Sequence, residues 1–170
     1  VYATPVLLAY IRQQMHDGEA LTVVSPDAGG VERARAFAKR LNANLAIIDK
    51  RRAAANEVAE MKLIGEVTGR VAVIIDDIVD TAGTIVAAAD AVRAAGAQEV
   101  IACCTHAVLS GKAFERLARS SLKKLVVTDT IPLQDQTREL PNVVVLSVAH
   151  LIGEAIRRIH NEESISSLFI

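Results

Sequence analysis

Aromatic side chains make up only 3% of the 170 residues, and tryptophan is absent, whereas apolar residues make up 51%. A core of this composition must be built from valine, isoleucine, leucine and alanine, as is typical of parallel sheets covered by helices on both faces. The length suffices for one domain with a full core. We therefore expect a single α/β domain over residues 1–170.

The chain also lacks a charge excess and long apolar runs. A net charge of -1 offers no general attraction to nucleic acid or anionic lipid. No apolar run approaches the roughly 18 residues that a membrane-spanning helix needs. The sequence therefore predicts a cytoplasmic protein that binds neither nucleic acid nor membranes.

Cysteine is scarce too. The two cysteines, Cys103 and Cys104, are adjacent in an apolar run, so their side chains point to opposite faces of a strand and a structural disulfide is not expected. The chain opens at Val1 without an initiator methionine or a signal-peptide pattern. We expect a fragment or a processed chain.

Short β-branched segments alternate with alanine-rich amphipathic segments from end to end, the pattern of repeated βα units in a parallel sheet. We predict strands over residues 21–24, 45–48, 71–75, 100–104, 124–127 and 143–146. Helical periodicity is clearest over residues 30–41, 84–95, 112–120 and 148–160. Because ligands bind at the carboxyl ends of strands in open α/β sheets, polar residues directly after strands are the candidate site.

The strongest chemical pattern follows the third predicted strand. Asp76 and Asp77 come first, and a turn of small residues, 81–84, then opens a helix. The unpaired N–H groups and the dipole of a helix N-terminus favour an anion such as phosphate. Carboxylates are acceptors suited to vicinal hydroxyls, so the whole string predicts a pentose phosphate site. The alternative is that Asp80 and Thr81 are ordinary helix caps and that the Asp pair is a solvated strand end.

Two further strand ends carry charged residues. Asp27, before two glycines, is a candidate to hold Mg²⁺ together with sugar hydroxyls, since Mg²⁺ takes few protein carboxylates. The alternative is a tight turn capped by Asp27.

Three cations at residues 50–52 suggest a mobile basic loop that neutralises charge during phosphoryl transfer. A solvated basic cluster is the alternative there.

The tail, residues 156–169, is polar and ends in an apolar Leu-Phe pair. It is either a frayed terminus or a segment docked onto a partner, and residue chemistry alone does not choose between them.

Five segments, residues 24–30, 48–52, 76–84, 127–132 and 156–164, together resemble the ribose-phosphate diphosphokinase family, also called phosphoribosyl pyrophosphate (PRPP) synthetases. The resemblance covers essentially the whole chain and corresponds to the C-terminal half of that family. The acidic loop alone is shared with type I phosphoribosyltransferases, which consume PRPP. The basic loop and the tail favour the synthetase.

This resemblance implies a three-layer open parallel sheet with helices on both faces, like the type I phosphoribosyltransferases. It also implies a reaction in which the C1 hydroxyl of ribose 5-phosphate attacks the β-phosphorus of Mg-ATP, giving PRPP and AMP. Family members form homo-oligomers, with a hexamer expected at full length, and carry an additional N-terminal domain that supplies most of the adenine pocket. We therefore expect this chain alone not to make PRPP efficiently.

The resemblance also assigns roles to individual residues. Those implied to bind ribose 5-phosphate are Asp76 and Asp77 for the hydroxyls, and Asp80, Thr81, Ala82, Gly83 and Thr84 for the phosphate. Asp27 is implied to bind Mg²⁺, and Lys50 and Arg52 to stabilise the transferring diphosphate as catalytic residues. The residues implied to form part of an ADP and phosphate regulatory site are Ser164, Ser166 and Phe169.

Two other functions stay open. A type I phosphoribosyltransferase would need a base-binding hood and a pyrophosphate loop, neither of which is evident in the sequence. A non-catalytic regulatory subunit associated with PRPP synthetase would keep the fold and lose the loops. The residues that argue against such a loss are Asp27, Lys50, Arg52, Asp76 and Asp77.

Overall fold

One β-sheet organises the chain. The computed structural model describes residues 2–15, 19–51 and 60–169. Within these ranges, seven strands lie in the order β3-β2-β1-β4-β5-β6-β7. They are β1 (Leu21–Ser25), β2 (Asn44–Arg51), β3 (Glu60–Ile64), β4 (Val71–Val79), β5 (Glu99–Ala107), β6 (Lys124–Thr128) and β7 (Val143–Leu146). The helices are α1 (Thr4–Gln14), α2 (Val31–Leu41), α3 (Gly83–Ala94), α4 (Ala113–Ala118), α5 (Asp135–Arg138) and α6 (Ala149–His160), followed by a short 3-10 turn, Ser166–Leu168.

Helices cover both faces of the sheet, so the predicted three-layer α/β architecture is confirmed. Side chains of α1 and α2 pack on one face against Val23, Val73 and Ile75. Side chains of α3 and α4 pack on the other face against Val24 and Ile74. Successive residues of the buried strands point to opposite layers, which is why continuous apolar runs fill both cores.

The two adjacent cysteines divide between these layers. Cys103 packs with α1 and α2, and Cys104 packs with α3 and α4. Both thiols are free, as predicted. Burial raises the pKa of Cys104 to about 12 and raises the pKa of Cys103 well above its usual range. Neither thiol is activated as a nucleophile at neutral pH.

Strand β3 departs from the predicted parallel pattern, because it pairs antiparallel with β2 at the edge of the sheet. The sequence analysis assigned no strand there. Charged and apolar side chains alternate along its sequence, EMKLI, which is the pattern of a half-buried strand, but its Glu and Lys have low strand propensity. The helix α5 was missed because its four residues are too few to show helical periodicity.

Strand β4 is longer than the predicted segment, residues 71–75. It continues through Asp76 and Asp77 to Val79 because its ladder with β5 continues, pairing Asp76 with Cys104 and Val79 with Ala107. The acidic pair therefore lies on a rigid strand instead of on a loop.

No helix in the described part of the chain is both long enough and apolar enough to cross a membrane.

Gly65, directly after β3, is a position where only glycine fits. Its φ is +116°, and a Cβ built there would lie 2.8 Å from the backbone of Ala46 and from the carbonyl oxygen of Leu45. We expect Gly65→Ala to lower the free energy of unfolding by roughly 3 kcal/mol, from backbone strain and overpacking together. Denaturant unfolding measures this change.

Gly153 supplies the matched control, since it lies in α6 with no atom within 4 Å of a built Cβ. Gly153→Ala is expected to raise the free energy of unfolding by about 0.5–1 kcal/mol, because alanine loses less backbone entropy in a helix. Equal effects of the two substitutions would contradict the close contact at Gly65.

Candidate functional site

A cavity of about 190 Å³ lies at the carboxyl ends of the central strands. It is lined by residues from three places in the sequence: Asp27, Asp76 and the segment from Ile78 to Ile85. The chain passes there from the end of β4 into the first turn of α3. The fold thus brings the predicted Mg²⁺ ligand, one predicted diol carboxylate and the predicted phosphate loop to a single cavity.

The loop between β4 and α3 leads directly into a helix N-terminus. Helix α3 begins at Gly83, so its first N–H groups have no intrahelical acceptor. The end of the helix that carries these groups borders the cavity. Ala82 is the N-cap, with φ +59°, and makes no side-chain capping bond. The alternative in which Asp80 and Thr81 cap the helix is wrong. Asp80 instead accepts a hydrogen bond from the Ser110 hydroxyl at 2.5 Å.

The acidic pair is held by a residue that the sequence analysis did not identify. Arg33 of α2 places Nη1 3.1 Å from Asp76 Oδ1 and Nη2 2.7 Å from Asp77 Oδ2. The Asp77 N–H also donates to Asp76 Oδ1 at 2.8 Å. One weak sequence signal was available: a cation in the first turn of a helix is disfavoured by the helix dipole, and a nearby carboxylate would offset that cost.

The two carboxylates of the acidic pair have different pKa values. Asp76, with 19% of its side chain exposed, has a pKa raised to about 6 because burial, reinforced by the charge of Asp77, disfavours its ionised form. For Asp77, burial acts in the same direction but is outweighed by the hydrogen bond with Asp76 and the charge of Arg33, which lower its pKa. Above pH 6 the pair presents two carboxylates to one guanidinium, leaving acceptor capacity for hydroxyl groups.

Asp27 has the chemistry of a magnesium ligand that acts with substrate oxygens. Its Oδ1 accepts the Gly30 N–H at 2.9 Å, while the carboxylate stays exposed at the cavity. No group of three or more metal-ligating side chains occurs among the residues that the structure describes. Mg²⁺ commonly takes one or two carboxylates and fills its remaining positions with water and phosphate oxygens. The residues fit that arrangement and do not form an all-protein cage.

A second cavity of about 520 Å³ adjoins the first and shares Asp76 with it. Its lining includes Arg33 and His106. His106 lines this cavity, and its Nδ1 also lies 3.0 Å from Thr130 Oγ1. Phe169 of the tail closes one side, packing edge-to-face on Tyr2 with ring centroids 5.6 Å apart.

The tail is docked on its own chain, which neither of the predicted alternatives anticipated. Arg158 donates to the Ser164 carbonyl oxygen at 3.1 Å and to Ser167 Oγ at 2.5 Å. Arg157 bridges Glu154 and Glu163, and the two arginines lower the pKa of Glu154 to about 2. Ser164 Oγ donates to Ser166 Oγ at 3.1 Å. The predicted regulatory residues therefore lie on an ordered segment anchored to α6.

The two predicted catalytic cations fall at the edge of what the structure describes. The backbone of Lys50 lies in β2, paired with Met61 of β3, so the prediction of a mobile loop is wrong for residues 50 and 51, which the ladder with β3 holds on a strand. Arg52 lies outside the described residues.

The fold is an α/β domain with a cavity at the carboxyl ends of its central strands. The family model of the phosphoribosyl synthetase-associated domain matches residues 51–170, and the chain belongs to this family. The resemblance found in the sequence is thereby confirmed.

Curated relatives share its sequence over essentially its whole length. A ribose-phosphate pyrophosphokinase of Marinomonas sp. (strain MWYL1) is 56% identical over 99% of this chain and 53% of its own length. One of Nitrosomonas europaea is 58% identical over 100% of this chain and 53% of its own length. The chain thus spans about half the length of the curated relatives it matches.

Solved structures agree in fold. The phosphoribosylpyrophosphate synthetase from Mycobacterium smegmatis superimposes with a TM-score of 0.86 at 36% identity, over 94% of this chain and 51% of that one. A purine phosphoribosyltransferase from Pyrococcus horikoshii, at 19% identity, has a TM-score of 0.52 over 85% of this chain and 79% of that one. The second likeness is one of fold alone, and it agrees with the predicted type I phosphoribosyltransferase-like architecture.

Proposed function

We propose that this chain forms the ribose 5-phosphate-binding domain of a ribose-phosphate diphosphokinase, which transfers diphosphate from Mg-ATP to C1 of the sugar and releases AMP. The observation that carries the proposal is the single cavity shared by Asp76 and the N-terminus of α3. It sets carboxylate acceptors for hydroxyls beside N–H donors for a phosphate. The names of relatives at 56% and 58% identity support the same activity.

The sugar phosphate is held at both ends in this proposal. Asp76 and Asp77 accept hydrogen bonds from the ribose hydroxyls, with Arg33 fixing the orientation of both carboxylates. The 5-phosphate lies against the segment from Asp80 to Thr84, where backbone N–H groups and two threonine hydroxyls are donors. Fixing both ends restricts the C1 hydroxyl to the orientation needed for in-line attack on the β-phosphorus, which lowers the entropic part of the barrier.

Positive charge stabilises the diphosphate as it is transferred. We assign this to Lys50 and Arg52, which follow the carboxyl edge of the sheet in sequence. Asp27 would hold Mg²⁺ through its exposed carboxylate. When bound, the ion supplies charge neutralisation on the polyphosphate oxygens.

We further propose that residues 1–170 are the C-terminal domain of a longer enzyme that acts as a homo-oligomer, with a hexamer expected, and whose N-terminal domain contributes to ATP binding. Ser164, Ser166 and Phe169 are proposed to contribute to binding of an ADP or phosphate effector. The docking of this tail on α6 and on Tyr2, beside the larger cavity, supports a site there.

Synthesis of PRPP is favoured over its consumption by a phosphoribosyltransferase, since relatives at 56% and 58% identity are named ribose-phosphate pyrophosphokinases, whereas the purine phosphoribosyltransferase, at 19% identity, is alike in fold alone. A catalytic domain is favoured over a non-catalytic associated subunit because Asp27 and Asp76 line one cavity with the loop.

Calorimetry tests the proposed function. The 170-residue chain is expected to bind ribose 5-phosphate in the presence of Mg²⁺ and to bind ATP poorly, because the smaller cavity is proposed to hold the sugar phosphate and the adenine pocket is expected from another domain. Ribose without phosphate is the matched control and should bind far more weakly. No measurable binding of ribose 5-phosphate would rule out the site assignment.

A further inference from the structure

Three consecutive carbonyl oxygens of the phosphate loop accept hydrogen bonds from one segment, residues 108–116, which we call the bracing segment. The Val79 oxygen accepts the N–H groups of residues 108 and 109 at 3.0 and 3.1 Å. The Asp80 oxygen accepts the Ser110 N–H at 3.0 Å. The Thr81 oxygen accepts Nη1 of Arg116 at 2.7 Å. The loop is therefore fixed peptide by peptide from its outer side.

These bonds determine where the loop's N–H groups point. In a planar trans peptide the C=O and the N–H point in opposite directions. Since the carbonyl of Thr81 points to Arg116, the N–H of Ala82 points away from the bracing segment. Within the described ranges, this N–H makes no hydrogen bond to a backbone carbonyl. It is free to join the first N–H groups of α3 at the cavity.

The observed orientation of the peptide between Thr81 and Ala82 carries backbone strain at Ala82. Ala82 has φ +59° and ψ +5°, close to the third residue of a type II turn, a conformation that alanine adopts only with strain. Rotating this one peptide by half a turn converts type II to type I and returns Ala82 to a negative φ. The rotation would also turn the Thr81 carbonyl toward the cavity and the Ala82 N–H away from it.

A single side chain holds this third peptide, whereas the first two are held by backbone donors. Arg116 belongs to α4 and reaches the loop over a separation of 35 residues. Its Nη1 lies 3.5 Å from where a Cβ of Gly83 would stand, so the glycine leaves room for the guanidinium.

We propose that Arg116 is a positioning residue for sugar-phosphate binding: it keeps the Thr81–Ala82 peptide in the strained orientation that directs the Ala82 N–H to the phosphate. The inference rests on the proposed function, since it concerns the same loop. It assigns a role to Arg116, which contacts the loop and does not contact the ligand.

The test uses Arg116→Met in the protein at its natural full length, with ribose 5-phosphate as the probe. Methionine keeps a long flexible stem and removes every donor. We expect affinity for ribose 5-phosphate to fall about 10-fold, the scale of one hydrogen bond to a charged group, with the KM for ATP unchanged. The matched control is Arg119→Met, which removes the same charge three residues further on and should change neither constant.

A second variant separates peptide orientation from a general effect of charge. In Arg116→Met combined with Ala82→Gly, glycine adopts positive φ without strain, so we expect several-fold of the lost affinity to return. Loss without this rescue would overturn the proposed mechanism, as would an Arg116→Met protein that binds as tightly as the unaltered one. If the unaltered protein does not bind ribose 5-phosphate, the proposed function fails and this inference fails with it.

Discussion

Replacing Lys50 with alanine in the full-length protein is expected to lower turnover by about 10²-fold or more at saturating ribose 5-phosphate and ATP, the scale associated with losing one preorganised electrostatic contact. The backbone supports this position. Ile47 of β2 lies level with Ser25, the last residue of β1. At about 3.3 Å per residue, Lys50 lies roughly 10 Å further along the strand, beyond the carboxyl edge where the ligand is proposed to bind.

Lys62→Ala is the control for this experiment. Lys62 is an exposed lysine of the same hairpin, opposite Asp49 in the β2–β3 ladder, so its removal changes the local charge equally. Turnover of Lys50→Ala within about twofold of the control would return Lys50 to the role of a solvated surface residue.

The second large effect concerns Asp76 and depends on pH. Because the pKa of Asp76 is raised to about 6, its carboxylate predominates at pH 8 and its neutral acid at pH 5. Asparagine resembles the neutral acid. We expect Asp76→Asn to weaken ribose 5-phosphate binding about 10-fold at pH 8, because a charged acceptor forms the stronger hydrogen bond. At pH 5 the two proteins should bind within about twofold of each other.

Calorimetry at the two pH values measures this ratio. The sugar phosphate has its own ionisation near pH 6, but it affects both proteins equally and cancels from the ratio. Glu32→Gln, an exposed carboxylate next to Arg33 in sequence, should leave binding unchanged at either pH. A ratio that is constant with pH would show that Asp76 does not titrate in this range.

Strands β1, β4, β5 and β6 could be located from the sequence because each is a continuous apolar run that fills both cores. Strand β3 was missed, since its Glu and Lys have low strand propensity and this edge strand is stabilised by pairing with β2. The same reason explains the extension of β4 through two aspartates: the ladder with β5 outweighs the low strand propensity of carboxylates.

Some residues of the candidate site could likewise be predicted from the sequence, and others could not. Asp76, Asp77 and the phosphate loop are contiguous, so their spacing alone predicts a sugar phosphate. Arg33 and Arg116 lie 43 and 35 residues from the groups they contact. Their contacts depend on how α2 and α4 pack against the sheet, which local sequence does not specify.

The adjacent cysteines give this domain a pair of internal reporters. A thiol reagent attacks the thiolate, and both thiols are buried with raised pKa values. Labelling therefore requires a local or global opening of the layer that covers each sulfur. Since Cys103 and Cys104 face different helical layers, Cys103→Ala and Cys104→Ala proteins would each carry one thiol. Their labelling rates would show whether the two layers open together or separately.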